Sequence, residues 1–179
     1  NQALHRVKTL DTAGLPTSDF KITIENEVAC KRYTGILIEQ VKVGPSPDWM
    51  KTRLEAIGQR SVNNIVDITN YVMFELGQPL HAFDADKIAG RHIRVKNVAA
   101  GTPFLTLDGS SKNLDADDLL ICDGNGDPMC IAGVYGGKDS GVTDTTVNIF
   151  LESAWFNPAS VRRTSFRHNL RTESASHFE

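Results

Sequence analysis

No run of apolar side chains in these 179 residues approaches the ~18 that a membrane-crossing helix demands, which excludes a helical membrane span. Cysteine is scarce. Cys30, Cys122 and Cys130 are odd in number, and Asn1 to Leu10 lack the basic start and apolar stretch of a secretory leader, so reduced thiols in the cytoplasm are expected. Cys122 and Cys130 flank an Asp-Gly-Asn-Gly-Asp turn and could face each other across a hairpin, but a disulfide is not the expectation. Nor do these cysteines, with His5, His81, His92, His168 and His177, supply the two closely spaced pairs of a structural zinc site. No metal is expected. The net charge of -3 argues against a protein that coats nucleic acid with its whole surface.

What is present is an ordinary globular composition, 40% hydrophobic and 23% charged, on a chain long enough to bury roughly 70% of its unfolded surface. Charge is unevenly spread. Asp108, Asp115, Asp117, Asp118, Asp123 and Asp127 crowd one region, whereas Ser153 to Thr172 hold Arg162, Arg163, Arg167, Arg171 and His168 and no acid. A basic C-terminal patch on an acidic body is expected.

Residues 1–29 read as a linker or lead-in segment, with Gly14 and Pro16 inside it, and predict that something precedes residue 1. The alternating, branched YTGILIEQVKV at 33–43 predicts a strand, and Pro45 and Pro47 open a short helix to about Gly58 with Met50, Leu54 and Ile57 at helical spacing. Ile65, Ile68, Val72 and Leu76 then form an apolar stripe at intervals of three and four. They predict a helix from Asn64 to Leu76, with Asn64 as cap, Asp67 completing an approximate capping box, and Gly77 and Pro79 as the stop. Beyond Arg91 the segments HIRVKNV, TPFLTLDG, LLIC, PMCIAGVYG and TVNIFLESAWF predict a mostly β half. Asn157-Pro158 then starts a last helix to about Asn169. These elements predict an α+β fold of layered, sandwich-like sheets with helices packed on one side, a single compact unit over 30–179.

Three strings are more specific than any periodicity: RSVNNIVDITNYVMFELGQPLHAFD at 60–84, AGVYGGKDSGVTDTTVNIFLESAWFNP at 132–158 and RHNLRTESASHFE at 167–179. In this order they resemble the editing module, the third and fourth domains, of the bacterial phenylalanyl-tRNA synthetase beta subunit. The resemblance implies a piece of a longer beta chain, partnered by an alpha chain in a tetramer of two alpha and two beta chains. Such a module hydrolyses the ester of tyrosine wrongly joined to tRNA(Phe). It implies no cofactor in this domain, with ATP and magnesium serving ligation by the parent enzyme only. GGK at 136–138 is no phosphate loop, because Ala132 stands where the leading glycine belongs and Asp139 where Ser or Thr belongs.

Position by position, the resemblance carries the editing pocket onto Arg60, Thr69, Asn70, His81, Gly133, Gly136, Glu152, Thr172 and Ser174. Each has a plainer reading. His81 also reads as a loop histidine bonded to Asp84, whereas the resemblance makes it the residue that orients water or the terminal ribose. Glu152, in step with Phe150 and Ala154 along an apolar strand, reads as an inward acid in need of a partner, or as the outward face of an edge strand. By resemblance it accepts the phenol hydrogen of tyrosine. Gly133 and Gly136 read as turn glycines, or as places where backbone approaches a ligand. Thr69 and Asn70 read as polar residues on the solvent side of their helix, or as ligand or water contacts. Arg60 pairs with nearby acids or meets the tRNA end. Ser174 stands where the family commonly has alanine. Arg162, Arg163, Arg167 and Arg171 suit phosphate contacts or a solvated helix face. The rival to an editing hydrolase is a non-catalytic module of the same enzyme that binds tRNA or braces its neighbours, and Glu152 in its apolar strand separates the two.

Overall fold

The computed structural model describes residue 11 and residues 13–179. Along them run β1 (Lys21–Ile24), β2 (Cys30–Ile38), α1 (Asp48–Ala56), α2 (Asn64–Leu76) and β3 (Leu80–Asp84). Short strands follow: β4 (His92–Asn97), β5 (Pro103–Leu105), β6 (Ser111–Asn113), β7 (Leu119–Cys122), β8 (Pro128–Ile131) and β9 (Tyr135–Gly136). The long strand β10 (Ile149–Phe156) and the helices α3 (Pro158–His168) and α4 (Glu173–Phe178) complete the chain. The architecture is α+β, as the element pattern predicts.

Two main sheets carry it. One has the order β1-β4-β7-β8-β9, with β1 parallel to β4 and the other pairs antiparallel; the second has the order β2-β10-β3, antiparallel throughout. A two-stranded ribbon of β5 and β6 stands beside them. Phe83, Phe150 and Phe156 from the three-stranded sheet pack with Ile93, Val95, Leu120, Ile121 and Ile131 from the five-stranded one, all at 1% exposure or less. Burial of these side chains is the main favourable term for the fold. β1 comes from the segment that the sequence presents as a linker, and the part of that segment before residue 11 lies outside the described residues.

Several local expectations change. The stretch after α2, expected as a loop, is strand β3, whose residues 80–84 pair with 149–153 of β10. Asn63, one residue earlier than expected, caps α2 by accepting from the Val66 N–H, while Asn64 bonds Gly44 and Lys42 of the preceding loop. Asp67 completes no capping box. It is fully buried and accepts from Ser46, Ser61 and the Val62 N–H, so three donors offset the cost of its desolvation. The buried stripe is Ile65, Thr69 and Met73, whereas Ile68 and Leu76 are 42% and 47% exposed. The helix is turned because hydrogen bonds bury Asp67 and Thr69 on its inner side, which also borders a cavity through Val66, Asn70 and Met73. The string PMCIAGVYG is two strands, separated by a turn at 132–134. Within the β7-β8 hairpin a register shift sets Cys130 opposite Ile121 and Cys122 opposite Pro128; all three cysteines are free.

Candidate active site

Strand β10 is the middle strand of its sheet, so its inward side chains have neighbours on both flanks. Glu152 points inward with Phe150 and Ala154, as strict alternation predicts, and is 5% exposed. The edge-strand reading of this acid is therefore overturned. On one flank Tyr33 of β2 donates a 2.6 Å hydrogen bond to Glu152 Oε2. Directly across the ladder on the other flank stands His81 of β3. Opposed residues of an antiparallel pair bring their Cβ atoms to roughly 5 Å, so the imidazole and the carboxyl occupy one face of the sheet.

That face is the floor of a cavity of about 310 Å³. α2 supplies one wall through Val66, Thr69, Asn70 and Met73, the β8-β9 turn another through Gly133 to Gly137, and the start of α4 closes it with Thr172 to Ser174. Eight of the nine residues carried over from the family pocket meet here: Thr69, Asn70, His81, Gly133, Gly136, Glu152, Thr172 and Ser174. Arg60 is exposed beside the lining residue Gln59 and makes no ion pair among the described residues. The solvent-side reading of Thr69 fails, since it is 9% exposed with its hydroxyl donated to Val66 O.

Backbone conformation explains the glycines. Gly133 sits at φ +71°, where a Cβ is strained and would also press Phe178, Phe156 and Val161 at about 3 Å. A Cβ on Gly136 would come within 3.2 Å of the His81 ring. The cavity therefore keeps its width at Gly136 only without a side chain, whereas Gly133 is required by its backbone conformation and by the core packed against it. Thr172 caps α4 by accepting from Ala175 N–H and donates to Val134 O, while Ser174 donates to Gly133 O. The extra hydroxyl at 174 is thus used by the cavity wall. Phe74 of α2 meets His177 of α4 edge-on at 5.5 Å, tying two walls together.

The electrostatics of the floor follow from dehydration. Burial pushes the Glu152 carboxyl up to about 7, partly countered by the Tyr33 donor, and pushes His81 down to about 4. His81 is consequently a neutral imidazole at physiological pH, and its Nε2 is buried with no hydrogen-bond partner. A buried nitrogen of this kind, in a cavity lining, is a group awaiting a ligand or water. Cys130, also in the lining, has its thiol pushed up by burial first and by Glu152 second, which makes it a poor nucleophile.

A stability measurement checks the raised Glu152. The folded carboxyl keeps its proton to about pH 7, whereas an unfolded glutamate releases it near ~4.3, so the folded state binds more protons between these values. Stability is therefore lost as pH rises through that window. For His81 the sign is opposite: its contribution is complete above its unfolded value and lost as pH falls through about 4. Glu152→Gln should gain on the wild type by about 3 kcal/mol between pH 4 and pH 8. Urea unfolding at the two pH values reads the difference; parallel behaviour of the two proteins would show that the carboxyl ionises freely in the fold.

The arginines divide. Arg167 is committed to the acidic loop, 2.6 Å from Asp118 with Asp115 and Asp117 within 4 Å, so the expected separation of basic patch and acidic body disappears there. Asp118, fully buried, also bonds His168, Thr164 and the Asp115 N–H. Burial alone would raise its carboxyl, but the donors outweigh burial and hold it below the usual range. Arg162 and Arg171 flank the exposed ring of Phe166 and stay on the surface with Arg163. Among the described residues no group of three or more His, Cys, Asp or Glu is placed to hold a metal ion.

Tyr33 is the functional candidate that sequence reading misses. Its signal is present in the alternation of β2, because a tyrosine on the buried side needs a partner for its hydroxyl. Which partner it takes depends on a strand 119 residues away.

Residues 29–179 match the family model described as the B3/4 domain. The chain is 55% identical over 174 residues to a phenylalanine-tRNA ligase beta subunit of Porphyromonas gingivalis, covering 95% of this chain and 21% of that protein. Beta subunits from Bacteroides fragilis and Carboxydothermus hydrogenoformans are 51% and 47% identical over 90% and 98% of the chain, and 20% and 22% of their own length. The chain thus spans about a fifth of the length of the curated relatives it matches. An N-terminal fragment of the phenylalanyl-tRNA synthetase beta subunit from Pyrococcus horikoshii shares the fold, with a TM-score of 0.53 at 17% identity over 79% of this chain and 46% of that one.

Proposed function

The chain belongs to the B3/4 domain family, and from that premise we propose that it is the editing part of a phenylalanine-tRNA ligase, hydrolysing the ester of tyrosine wrongly joined to tRNA(Phe). The observation that carries this reading is Glu152. One carboxyl oxygen is held by Tyr33, the other receives no hydrogen bond from the described residues, and the group lines a cavity at the small end of the roughly 300–1,000 Å³ typical of ligand pockets. A tyrosine phenol donating to Oε1 satisfies that acceptor. Phenylalanine leaves it unsatisfied in a dehydrated site, which is the asymmetry that lets a hydroxyl-binding pocket discriminate strongly. The Gly133 N–H, which has no partner among the described residues, borders the same cavity and is the proposed donor to the phenol oxygen, and Gly136 leaves room for the ring.

An aminoacyl ester is already activated, so the site has to position water and steady a developing oxyanion. The oxygen of water adds to the ester carbonyl, the bond to the ribose oxygen breaks, and that oxygen takes up a proton. Neutral His81, with its free Nε2, orients the water or the vicinal ribose hydroxyl. Thr69 and Asn70 border the same space. Arg60 and the surface arginines Arg162, Arg163 and Arg171 meet the tRNA backbone, while Arg167 braces the fold. The alpha chain of the ligase, a tetramer of two alpha and two beta chains, and ATP with magnesium belong to ligation elsewhere in a cytoplasmic enzyme.

Deacylation of tyrosyl-tRNA(Phe) by the intact ligase tests the role of His81. His81→Ala should slow it at least about tenfold, the lower end of what a positioned proton-handling group contributes. An unchanged rate would remove His81 from the chemistry.

A further inference from the structure

Glu152 has three elements around it, and only one of them grips its carboxyl. β2 brings Tyr33, β3 brings His81, and β8 brings Cys130 to the cavity. Tyr33 is 7% exposed and lies behind the cavity lining, and its hydroxyl ends on Glu152 Oε2 at 2.6 Å. The terminal torsion of a glutamate is soft and nearly two-fold, and a free carboxyl would sample many orientations. A short hydrogen bond to one oxygen removes that freedom.

Building on the editing reading, we propose that Tyr33 is a positioning residue for amino-acid selection: by occupying Oε2 of Glu152 it turns Oε1 toward the cavity as the acceptor for the ligand phenol. The carboxyl then lies between two phenols, one supplied by the protein and one by the misattached amino acid. Tyr33 also favours the charged form of Glu152, because its hydrogen bond opposes the effect of burial. The other titratable groups near the carboxyl are Cys30 on β2, His81 on β3 and Cys130 on β8, with Glu173 of α4 also in the cavity lining. Both thiols are pushed up and His81 is pushed down by burial, so none of the three adds charge near neutral pH.

The test uses the intact ligase and measures deacylation of tyrosyl- and phenylalanyl-tRNA(Phe) across pH. Tyr33→Phe should raise KM for the tyrosyl ester about tenfold with kcat changed less than about twofold, the pattern of lost ligand binding. It should also move the pH midpoint of tyrosine selectivity upward by about one unit, since a donor to the carboxylate is gone. Replacing Tyr33 with 3-fluorotyrosine, a more acidic phenol of nearly the same shape, should move that midpoint downward and keeps the test open if the phenylalanine variant folds poorly. Thr34→Ala is the control. Thr34 bonds Ser153 O across the same β2-β10 pair but does not touch Glu152, so it should weaken the sheet and leave the midpoint in place. An unmoved midpoint in both Tyr33 variants, or equal losses from Tyr33→Phe and Thr34→Ala, overturns the inference. If Glu152→Ala removes selectivity while the Tyr33 variants change nothing, the editing reading stands and this inference alone fails; if Glu152→Ala itself changes nothing, both fail.

Discussion

Glu152→Ala in the intact ligase should lower the preference for deacylating tyrosyl-tRNA(Phe) over phenylalanyl-tRNA(Phe) by at least about 100-fold, since pockets built around a substrate hydroxyl reach roughly 10⁴ to 10⁵. The loss should fall on tyrosine, because phenylalanine has no group for the carboxyl to accept. The fold should survive. Alanine leaves Tyr33 without its acceptor, a cost of about 1–3 kcal/mol, but removes a dehydrated acid that burial already disfavours at neutral pH. Glu152→Gln separates charge from shape, since it keeps an acceptor in place and should retain part of the selectivity. Parallel measurement of both esters decides the matter. Unchanged preference in the alanine variant would return this acid to a purely structural role and favour a module that binds tRNA without cleaving it.

Asp118→Ala should produce the largest loss of stability, about 3–5 kcal/mol, because it removes the one carboxylate that satisfies the buried His168 and Thr164 side chains and the Asp115 N–H together. Arg167 and His168 lose their 2.6 Å contacts, and Thr164 and the Asp115 N–H lose an acceptor. For a chain of this length the thermal midpoint should drop by roughly 6–20 °C. Asp117→Ala is the matched comparison, since Asp117 is exposed and 3.9 Å from Arg167, and it should shift the midpoint by no more than about 2 °C. Thermal unfolding of the purified proteins reads both. Asp118 ties α3 to the acidic loop, and α3 leads directly into the Thr172-Ser174 wall of the cavity. Editing should therefore decline in the same variant through a displaced wall. Equal midpoints for the two variants would show that the buried cluster contributes nothing net.

Local chemistry was legible wherever a short-range rule governs it. The Asn157-Pro158 helix start appears as expected, with Asn157 accepting from Ala159 and Ser160 N–H, and α2 stops at Gly77 in a left-handed conformation. Alternation along 149–156 correctly turned Glu152 inward. The cap of α2 was placed one residue late because Asn63 and Asn64 are equally able to cap, and only the loop contacts of Asn64 to Gly44 and Lys42 decide between them. The apolar stripe of α2 misled for a related reason: periodicity counts hydrophobic side chains, but Asp67 and Thr69 are buried by hydrogen bonds that periodicity does not register.

His81 shows the boundary most plainly. Its neighbours in the chain, a helix stop and Asp84, describe a loop, yet pairing with β10 makes it a strand residue opposite Glu152. By itself, then, the sequence determined an α+β class, the stop of α2 and the start of α3, the inward acid and the strings shared with the family. Tertiary structure alone decided that Tyr33 completes the acid, that Arg167 serves the acidic loop, and that the imidazole is neutral with a free nitrogen. Caps, turns and alternation depend on a few neighbouring residues, whereas a carboxyl's partner and the dehydration of a histidine depend on strands and helices that meet across a hundred residues of chain.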